Sequence, residues 1–327
     1  MAAEARRPDP ATLLAFLGVA LFGGLNTIAA KVTVAELAPL WSAGTRFVAA
    51  GLIFAVLTLA TGRPFPRGRG LSGAMLYGAA GYAGAFGLLY PAVREIPAGT
   101  VGVIIALAPL TTFALAVVQR QERFQALALV GGLIAVAGVA IVFVDQLSAS
   151  APPWALGLAL VGVLFLSEAG VIAKWIPRSD PLATNAVAMV TAGAIGIAAS
   201  ILLGETRAIP VQTDTWIAIA YIVVFGSVVM FGLYLFGIER WSASGMAYST
   251  LLLPFVSVTA ASLLTGEAFS PAFAVGGVVM VVGVYVGAFL AHRPKRSTAT
   301  AMPECVPMAD CAAQIPAALR SAGSAER

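Results

Sequence analysis

Apolar residues occur in long runs that recur along nearly the whole chain, separated by short polar stretches such as GRPFPRGRG, QRQERF and GETRAIPVQTDT. Each run has about 20 residues, which as a helix crosses the roughly 30 Å of hydrocarbon in a bilayer. The pattern therefore predicts an all-α membrane protein with ten transmembrane helices. The predicted spans are 11–30, 37–61, 71–93, 99–118, 124–144, 153–173, 182–203, 215–238, 242–264 and 270–291.

The composition agrees with this pattern. Of the 327 residues, 60% are hydrophobic and only 10% are charged, whereas a soluble domain carries about a quarter charged residues. The lipid bilayer is thus the first partner to expect. The basic residues form no stripe with interleaved aromatics, so the net charge of +4 does not indicate nucleic-acid binding.

Lysine and arginine residues in the short loops predict the orientation, because such loops stay on the cytoplasmic side. With the N-terminus inside, the outer side holds only Lys31, Arg94 and Arg207, and the other loop cations are inside. We expect a multi-pass protein of the inner or plasma membrane with both termini cytoplasmic. Residues 1–10 form the N-terminal segment, and residues 293–327 form a tail whose Ala, Pro, Ser and Thr content predicts disorder.

The two halves of the chain, residues 11–148 and 149–292, are related in sequence. Landmarks of the first half recur 145 positions later: Gly81 and Gly226, Phe86 and Phe231, Pro109 and Pro254, Glu122 and Glu267. Five spans per half is an odd number, so the second copy must enter the membrane from the opposite side. The sequence predicts two inverted five-helix repeats, an arrangement typical of transporters with a substrate site near the midplane.

The segment AGTVGVIIALAPLTTFALAVVQRQERFQALALVGGLIAVAGVAIVF and its counterpart SGMAYSTLLLPFVSVTAASLLTGEAFSPAFAVGGVVMVVGVYVG share a mid-helix proline, a following glutamate and a Gly-Gly helix. They resemble the EamA-type transporters of the drug/metabolite transporter superfamily. So does LFGGLNTIAAKVTVAELAPLWSAGTRF, with Lys31 and Arg46 at positions where that family often has Lys and Arg. The resemblance covers about residues 11 to 291 and implies transport of amino acids, drugs, nucleotide sugars or other metabolites. The polar QRQ before Glu122 departs from that family's apolar helix end.

Signals for enzymatic chemistry are absent from the sequence. It contains no Walker loop, no HExxH and no GxSxG motif, and the glycines lie inside apolar spans, where they favour close helix packing. We expect no enzyme activity and no cofactor. Two cysteines, Cys305 and Cys311, and the lone His292 do not make a metal site.

Two charged residues lie within the predicted spans. Arg46 is about nine residues, or roughly 13 Å, from the outer end of its helix, and Glu168 is near the inner end of its own span. Charges at membrane depth indicate a functional site by default, so both are candidate substrate-binding residues and Glu168 is a candidate proton-coupling carboxylate. The alternative is a buried Arg46–Glu168 ion pair that only holds the halves together. In the other repeat, Glu168 aligns with Leu25, and Asn26 beside it is a further candidate.

Aromatic residues provide a candidate wall for the substrate site, although ordinary bundle packing is an equally good interpretation. Residues four positions apart share one helix face. The wall comprises Tyr82, Phe86 and Tyr90 on the third span, Phe231 and Tyr234 on the eighth, and Tyr248 and Ser249 on the ninth. Pro109 and Pro254 are expected to loosen their helices where backbone lines a cavity. Glu122 and Glu267 are interpreted as caps of the helices that follow them.

The sequence therefore predicts a secondary transporter that exports small amphipathic metabolites such as amino acids or organic cations. Proton coupling through Glu168 is part of this hypothesis. A passive facilitator and a lipid-carrier flippase of the same fold are alternatives. The partners expected are a small-molecule substrate and the bilayer, with the protein a monomer or homodimer.

Overall fold

The computed structural model describes residues 8–96, 98–144, 152–177, 179–265 and 271–291, and nearly all of these residues are helical. This follows from the apolar runs, because a chain in hydrocarbon must satisfy its backbone hydrogen bonds internally and a helix does so within one segment. The prediction of an all-α fold is confirmed for these residues. The cysteines, His292, Glu267 and the tail lie outside them.

The described helices follow one another through short connections. In chain order they are α1 Pro10–Glu36, α2 Pro39–Ala60, α3 Arg69–Tyr77, α4 Ala85–Glu95, α5 Ala98–Ile105, α6 Ala108–Val118, α7 Ala126–Val142, α8 Pro153–Trp175, α9 Pro181–Leu202, α10 Thr213–Val223, α11 Met230–Arg240, α12 Ala243–Ala247, α13 Leu252–Thr265 and α14 Pro271–Val284. Three π-helical segments, Gly78–Gly84, Val224–Val229 and Tyr285–Leu290, continue α3 into α4, continue α10 into α11, and extend α14.

Eight helical stretches among the described residues are long and apolar enough to cross a membrane. They correspond to eight of the ten predicted spans. The fifth predicted span is a shorter apolar helix, Ala126–Val142. The third runs from Arg69 to Glu95 and is not among the eight, because its glycine and tyrosine residues make it less apolar. Ten spans therefore remains a prediction.

Equivalent helices of the two halves pack against each other and run antiparallel. A side chain added at Gly44 of α2 would meet Ile197 of α9, and one added at Gly51 would meet Val190. A step of seven residues towards the C-terminus of α2 therefore corresponds to a step of seven residues towards the N-terminus of α9, which makes the two helices antiparallel. Gly131 and Gly138 of α7 behave in the same way towards Gly287 and Met280. Glycine lets these backbones approach closely, as is usual between membrane helices.

The helical path is interrupted just before each of the two matched prolines. A turn at Ala106 and Leu107 separates α5 from α6, with Pro109 near the start of α6. In the second half the tighter 3₁₀ segment Tyr248–Leu251 separates α12 from α13, and Pro254 follows near the start of α13. Proline removes a backbone donor and disfavours a helix that continues through it.

Glu122 caps a helix, but not the helix for which the sequence predicted it. Helix α7 starts after Gln125 without a side-chain cap. The Glu122 carboxylate instead accepts hydrogen bonds from the backbone N–H and hydroxyl of Ser244, at the start of α12. The prediction named the wrong helix, because α7 follows Glu122 in the chain whereas α12, which Glu122 contacts, belongs to the other half. The interpretation of Glu122 as a helix cap and not a transport residue stays compatible with this contact.

Candidate functional site

Arg46 of α2 lies at the centre of the candidate site. It is buried inside the helix bundle, with only 2% of its surface exposed. Its guanidinium donates three hydrogen bonds: from Nε to Ser227 Oγ at 2.7 Å, from Nη1 to Tyr90 Oη at 2.8 Å, and from Nη2 to the Gly226 carbonyl at 2.9 Å. It also lies over the rings of Phe47, at 5.1 Å, and Phe86, at 5.4 Å. All of these partners are electrically neutral.

Five aromatic rings pack edge-to-face or stacked beside the guanidinium. Tyr82 is stacked on Phe47, with ring centroids 5.2 Å apart, and meets Phe231 edge-on at 4.7 Å. Phe86 contacts Phe47 at 5.3 Å and Tyr90 at 6.0 Å. Such pairs add roughly 0.5–1.5 kcal/mol each to the burial of the rings. We call Phe47, Tyr82, Phe86, Tyr90 and Phe231 the aromatic cluster.

Phe86 and Phe231, which are equivalent in the two halves, contact each other directly, with centroids 6.1 Å apart and planes at 85°. A residue can touch its own symmetry equivalent only near the axis that relates the two copies. The aromatic cluster is therefore located where the two halves meet.

A buried hydrogen-bond chain fixes Tyr82 in this cluster. Its hydroxyl lies 2.9 Å from that of Tyr77 and donates to Asn185 Oδ1 at 2.8 Å. Asn185 in turn donates from Nδ2 to the Phe231 carbonyl at 3.3 Å. The chain satisfies polar groups that would otherwise be costly to bury, and it connects α3, α9 and α11.

Asn26 of α1 adjoins the same site from another side. It is 8% exposed, and a side chain added at Gly226 would come within 2.1 Å of its Oδ1 atom. Gly226 is the residue whose carbonyl accepts from Arg46. The Asn26 Oδ1 atom is buried and has no hydrogen-bond donor among the described residues. It is an acceptor available to a donor group.

Glu168 does not pair with Arg46, so the ion-pair interpretation is wrong. The half-buried carboxylate accepts from Gln119 Nε2 at 2.9 and 2.8 Å. In the part of the chain that the structure describes, ion pairs within 4.0 Å join Arg63 to Asp180 and Arg240 to Asp9, and none involves Arg46 or Glu168. Arg46 and Glu168 are thus two separate polar sites.

Three other predicted site residues, Tyr234, Tyr248 and Ser249, lie outside the aromatic cluster. Tyr234 is half-buried, with its hydroxyl facing Gly170 of α8. Tyr248 is fully buried, donates to the Ala128 carbonyl of α7 at 2.6 Å, and packs against Gly287. Ser249 donates to the Met246 carbonyl of its own helix at 2.7 Å. The structure therefore brings together Arg46, Asn26, Tyr82, Phe86, Tyr90 and Phe231, and places Tyr248 and Ser249 in helix packing.

Two pockets approach the site from opposite sides of α2. One of about 360 Å³ is lined by Phe47 and Tyr82 together with α9 residues that include Gly196. The other, of about 270 Å³, is lined by Arg46, Trp41, Trp216 and mostly apolar neighbours. Arg46 is the charged residue among those that line this second pocket.

Sequence reasoning missed Phe47, Ser227, Asn185 and Gln119. Phe47 follows Arg46 directly and Ser227 follows the matched Gly226, so both were adjacent to recognised positions. Gln119 belongs to the QRQ stretch that departs from the family pattern. Nothing in the sequence pointed to Asn185, because its partners come from α3 and α11.

Comparison with known proteins places this geometry in context. The "Uncharacterized inner membrane transporter YedA" of Escherichia coli is 27% identical over 280 residues, which is 84% of this chain and 91% of that protein. The "Probable amino-acid metabolite efflux pump" of Salmonella typhimurium is 25% identical over 84% of this chain and 94% of its own length. One protein of known crystal structure shares the fold, with a TM-score of 0.71 and 20% identity over 86% of this chain and 98% of its own.

The family assignment rests on both halves of the chain. Residues 10–144 and, independently, residues 153–288 match the EamA-like transporter family. The first matched segment contains Arg46 and four residues of the aromatic cluster, and the second contains Ser227 and the fifth, Phe231. The chain is a membrane protein that belongs to the EamA-like transporter family.

Proposed function

We propose that the protein is a secondary transporter that exports small amphipathic metabolites, such as amino acids or organic cations, across the inner or plasma membrane. The observation that carries this proposal is the buried Arg46 beside an aromatic cluster, at the place where Phe86 meets its equivalent Phe231. Substrate sites of inverted-repeat transporters lie at such an interface, near the midplane. The name of the Salmonella relative, an amino-acid metabolite efflux pump, supports the same substrate class.

The architecture proposed with it has ten transmembrane helices in two inverted repeats, residues 11–148 and 149–292, with both termini in the cytoplasm. The antiparallel packing of α2 against α9, and of α7 against α14, supports the inversion. Accessibility labelling tests it. In a chain with Cys305 and Cys311 replaced by serine, we expect a cysteine at Arg67 to react only from the inside and one at Arg207 only from the outside. Labelling of both from one side would exclude this topology.

Glu168 is proposed as the proton-coupling residue. It is the half-buried carboxylate of α8, held by a neutral amide, Gln119, and not by a cation. Among the described residues, no cation forms an ion pair with this carboxylate.

Transport by purified protein in reconstituted vesicles tests the function. We expect uptake of radiolabelled amino acids or organic cations above that of protein-free vesicles, and faster uptake when a pH gradient is imposed. Equal rates with and without the gradient would identify a passive facilitator. Movement of a fluorescent lipid between leaflets, without solute uptake, would identify a flippase.

A further inference from the structure

The positive charge of Arg46 is not neutralised by any of the residues that the structure describes. Three of its N–H groups are bound, all by neutral oxygens, whereas a guanidinium has five N–H groups to offer. Within the described residues no carboxylate lies within 4.0 Å of it. The rings of Phe47 and Phe86 add only cation–π attraction, which does not replace the counter-charge that a buried ion requires.

The surroundings determine which anion would fit. Guanidinium binds carboxylate and phosphate through paired hydrogen bonds. A phosphate group carries close to two charges, and here a single cation lines an otherwise uncharged pocket that contains Trp41 and Trp216. A singly charged carboxylate matches that charge, and the neighbouring aromatic and apolar residues match an apolar side chain.

Among the described residues, a second buried group lacks a hydrogen-bond donor, whereas Arg46 lacks an anionic acceptor. The Asn26 Oδ1 atom is an acceptor without a donor, and it contacts the Gly226 residue whose carbonyl binds Arg46. A molecule that carries both a carboxylate and an amino group offers an acceptor to Arg46 and a donor to Asn26. An organic cation without an acidic group offers at most a donor and adds a second positive charge beside Arg46.

We propose that Arg46 is the docking point for the carboxylate of the transported molecule, so that carboxylate-bearing amphipathic molecules such as amino acids are substrates and organic cations without an acidic group are not. The proposal rests on the proposed transport function and narrows its substrate class. Asn26 is the acceptor for the amino group of the same molecule.

Matched pairs of probes test this in vesicles that contain the full chain. The acids are L-phenylalanine and L-leucine; the controls are L-phenylalaninamide and L-leucinamide, which keep the side chain and the amino group but lack the carboxylate. For the wild type we expect uptake efficiency, kcat/KM, at least about tenfold higher for each acid than for its amide, since a site built for a charged group rejects its absence strongly. Equal efficiencies for acid and amide would overturn the proposal.

Variants connect the preference to Arg46. We expect Arg46→Met to remove the preference for acids, and Arg46→Lys, which keeps the charge but loses the planar fork, to raise KM for the acids more than it lowers kcat. Arg240→Met is the matched control, because Arg240 is an exposed arginine paired with Asp9; it should leave the preference unchanged. A folded Arg46→Met protein that still prefers acids would overturn the proposal. If Arg46→Met does not fold, the same conclusion would follow from Arg46→Lys with wild-type KM for acids.

Failure of the transport function itself is distinguishable. If neither acids nor amides, nor the organic cation tetraethylammonium, enter vesicles faster than in the absence of protein, the proposed function is wrong and the proposal falls with it. If tetraethylammonium is carried and the acids are not, transport is established and the carboxylate proposal alone is overturned.

Discussion

The two π-helical segments Gly78–Gly84 and Val224–Val229 occupy equivalent places in the two halves of the chain but face different surroundings. In the first, Gly81 packs against Ala169, and Tyr82 binds Asn185. In the second, Gly226 packs against Asn26, and Ser227, the equivalent of Tyr82, accepts from Arg46. The same backbone thus carries an aromatic side chain bonded to Asn185 in one half and a hydroxyl bonded to Arg46 in the other.

This difference shows that two equivalent backbone segments can hold different polar contacts. Wide π turns are rare and frequently occur at functional sites. Here they supply the same shape twice, while single side chains decide the chemistry: Tyr82 against Ser227, and Ala169 against Asn26. Substitutions at these paired positions should therefore separate the roles of shape and polarity.

The largest effect is expected from Tyr82→Ala. The substitution removes a ring packed on Phe47 and Phe231 and leaves Tyr77 and Asn185 without their hydroxyl partner. Loss of a buried aromatic ring costs about 3–5 kcal/mol. Equilibrium unfolding in detergent measures it, with Tyr82→Phe, which keeps the ring, as the control. Stability of Tyr82→Ala within about 1 kcal/mol of the wild type would mean that the first segment does not depend on its aromatic packing.

A smaller loss of stability but a larger effect on transport is expected from Ser227→Ala. The hydroxyl accepts from Arg46 Nε and donates to the Ile222 carbonyl. A hydrogen bond to a charged group contributes roughly 1.5–3 kcal/mol. Because Arg46 would lose one of its three anchors, we expect KM for the transported substrate to rise more than kcat falls. A variant with wild-type KM would show that the position of Arg46 does not depend on Ser227.

Alanine at the two equivalent glycines compares the contacts of the segments. A Cβ at Gly81 would lie 2.6 Å from the Ala169 Cβ, which cannot rotate away, so we expect a cost of about 1–3 kcal/mol. At Gly226 the nearest atom, 2.1 Å away, is the end of the Asn26 side chain, which can rotate, so the cost should be smaller.

Double-mutant cycles provide the measurement for these two contacts. Ala169→Gly should recover stability only in the Gly81→Ala background, and Asn26→Ala only in the Gly226→Ala background. Gly157→Ala is the control, because a side chain there meets no atom within 4 Å. Additive free energies in both cycles would exclude the contacts as the source of the effect.

The matched glycines, prolines and phenylalanines were visible in the sequence because they recur at a fixed offset, and the apolar runs are long enough to identify helices. The π turns were not predictable, because Gly81 and Gly226 are equally compatible with an ordinary α-helix.

Among the candidate site residues, Arg46 was singled out by its charge and the helix face of Tyr82 by its spacing. Their partners Ser227 and Asn185, and the contact of Glu122 with α12, depend on packing between the halves, which no local pattern encodes. The hydrogen bond of Tyr248 to α7 also crosses between the halves, so the sequence did not reveal it.

The smallest change in stability, and the clearest change in pH response, is expected from Glu168→Gln. Glu168 precedes Ala169, which packs on the first π segment, whereas its equivalent Leu25 precedes Asn26, which packs on the second. Gln119 can donate to the glutamine oxygen as it does to the carboxylate, so the unfolding free energy should change by less than about 1 kcal/mol. If Glu168 couples protons to transport, uptake by the variant should no longer respond to an imposed pH gradient, while Leu25→Gln, the matched change in the other half, should respond normally. A Glu168→Gln protein that transports with wild-type pH dependence would show that the asymmetry between the halves lies in the Arg46 site alone.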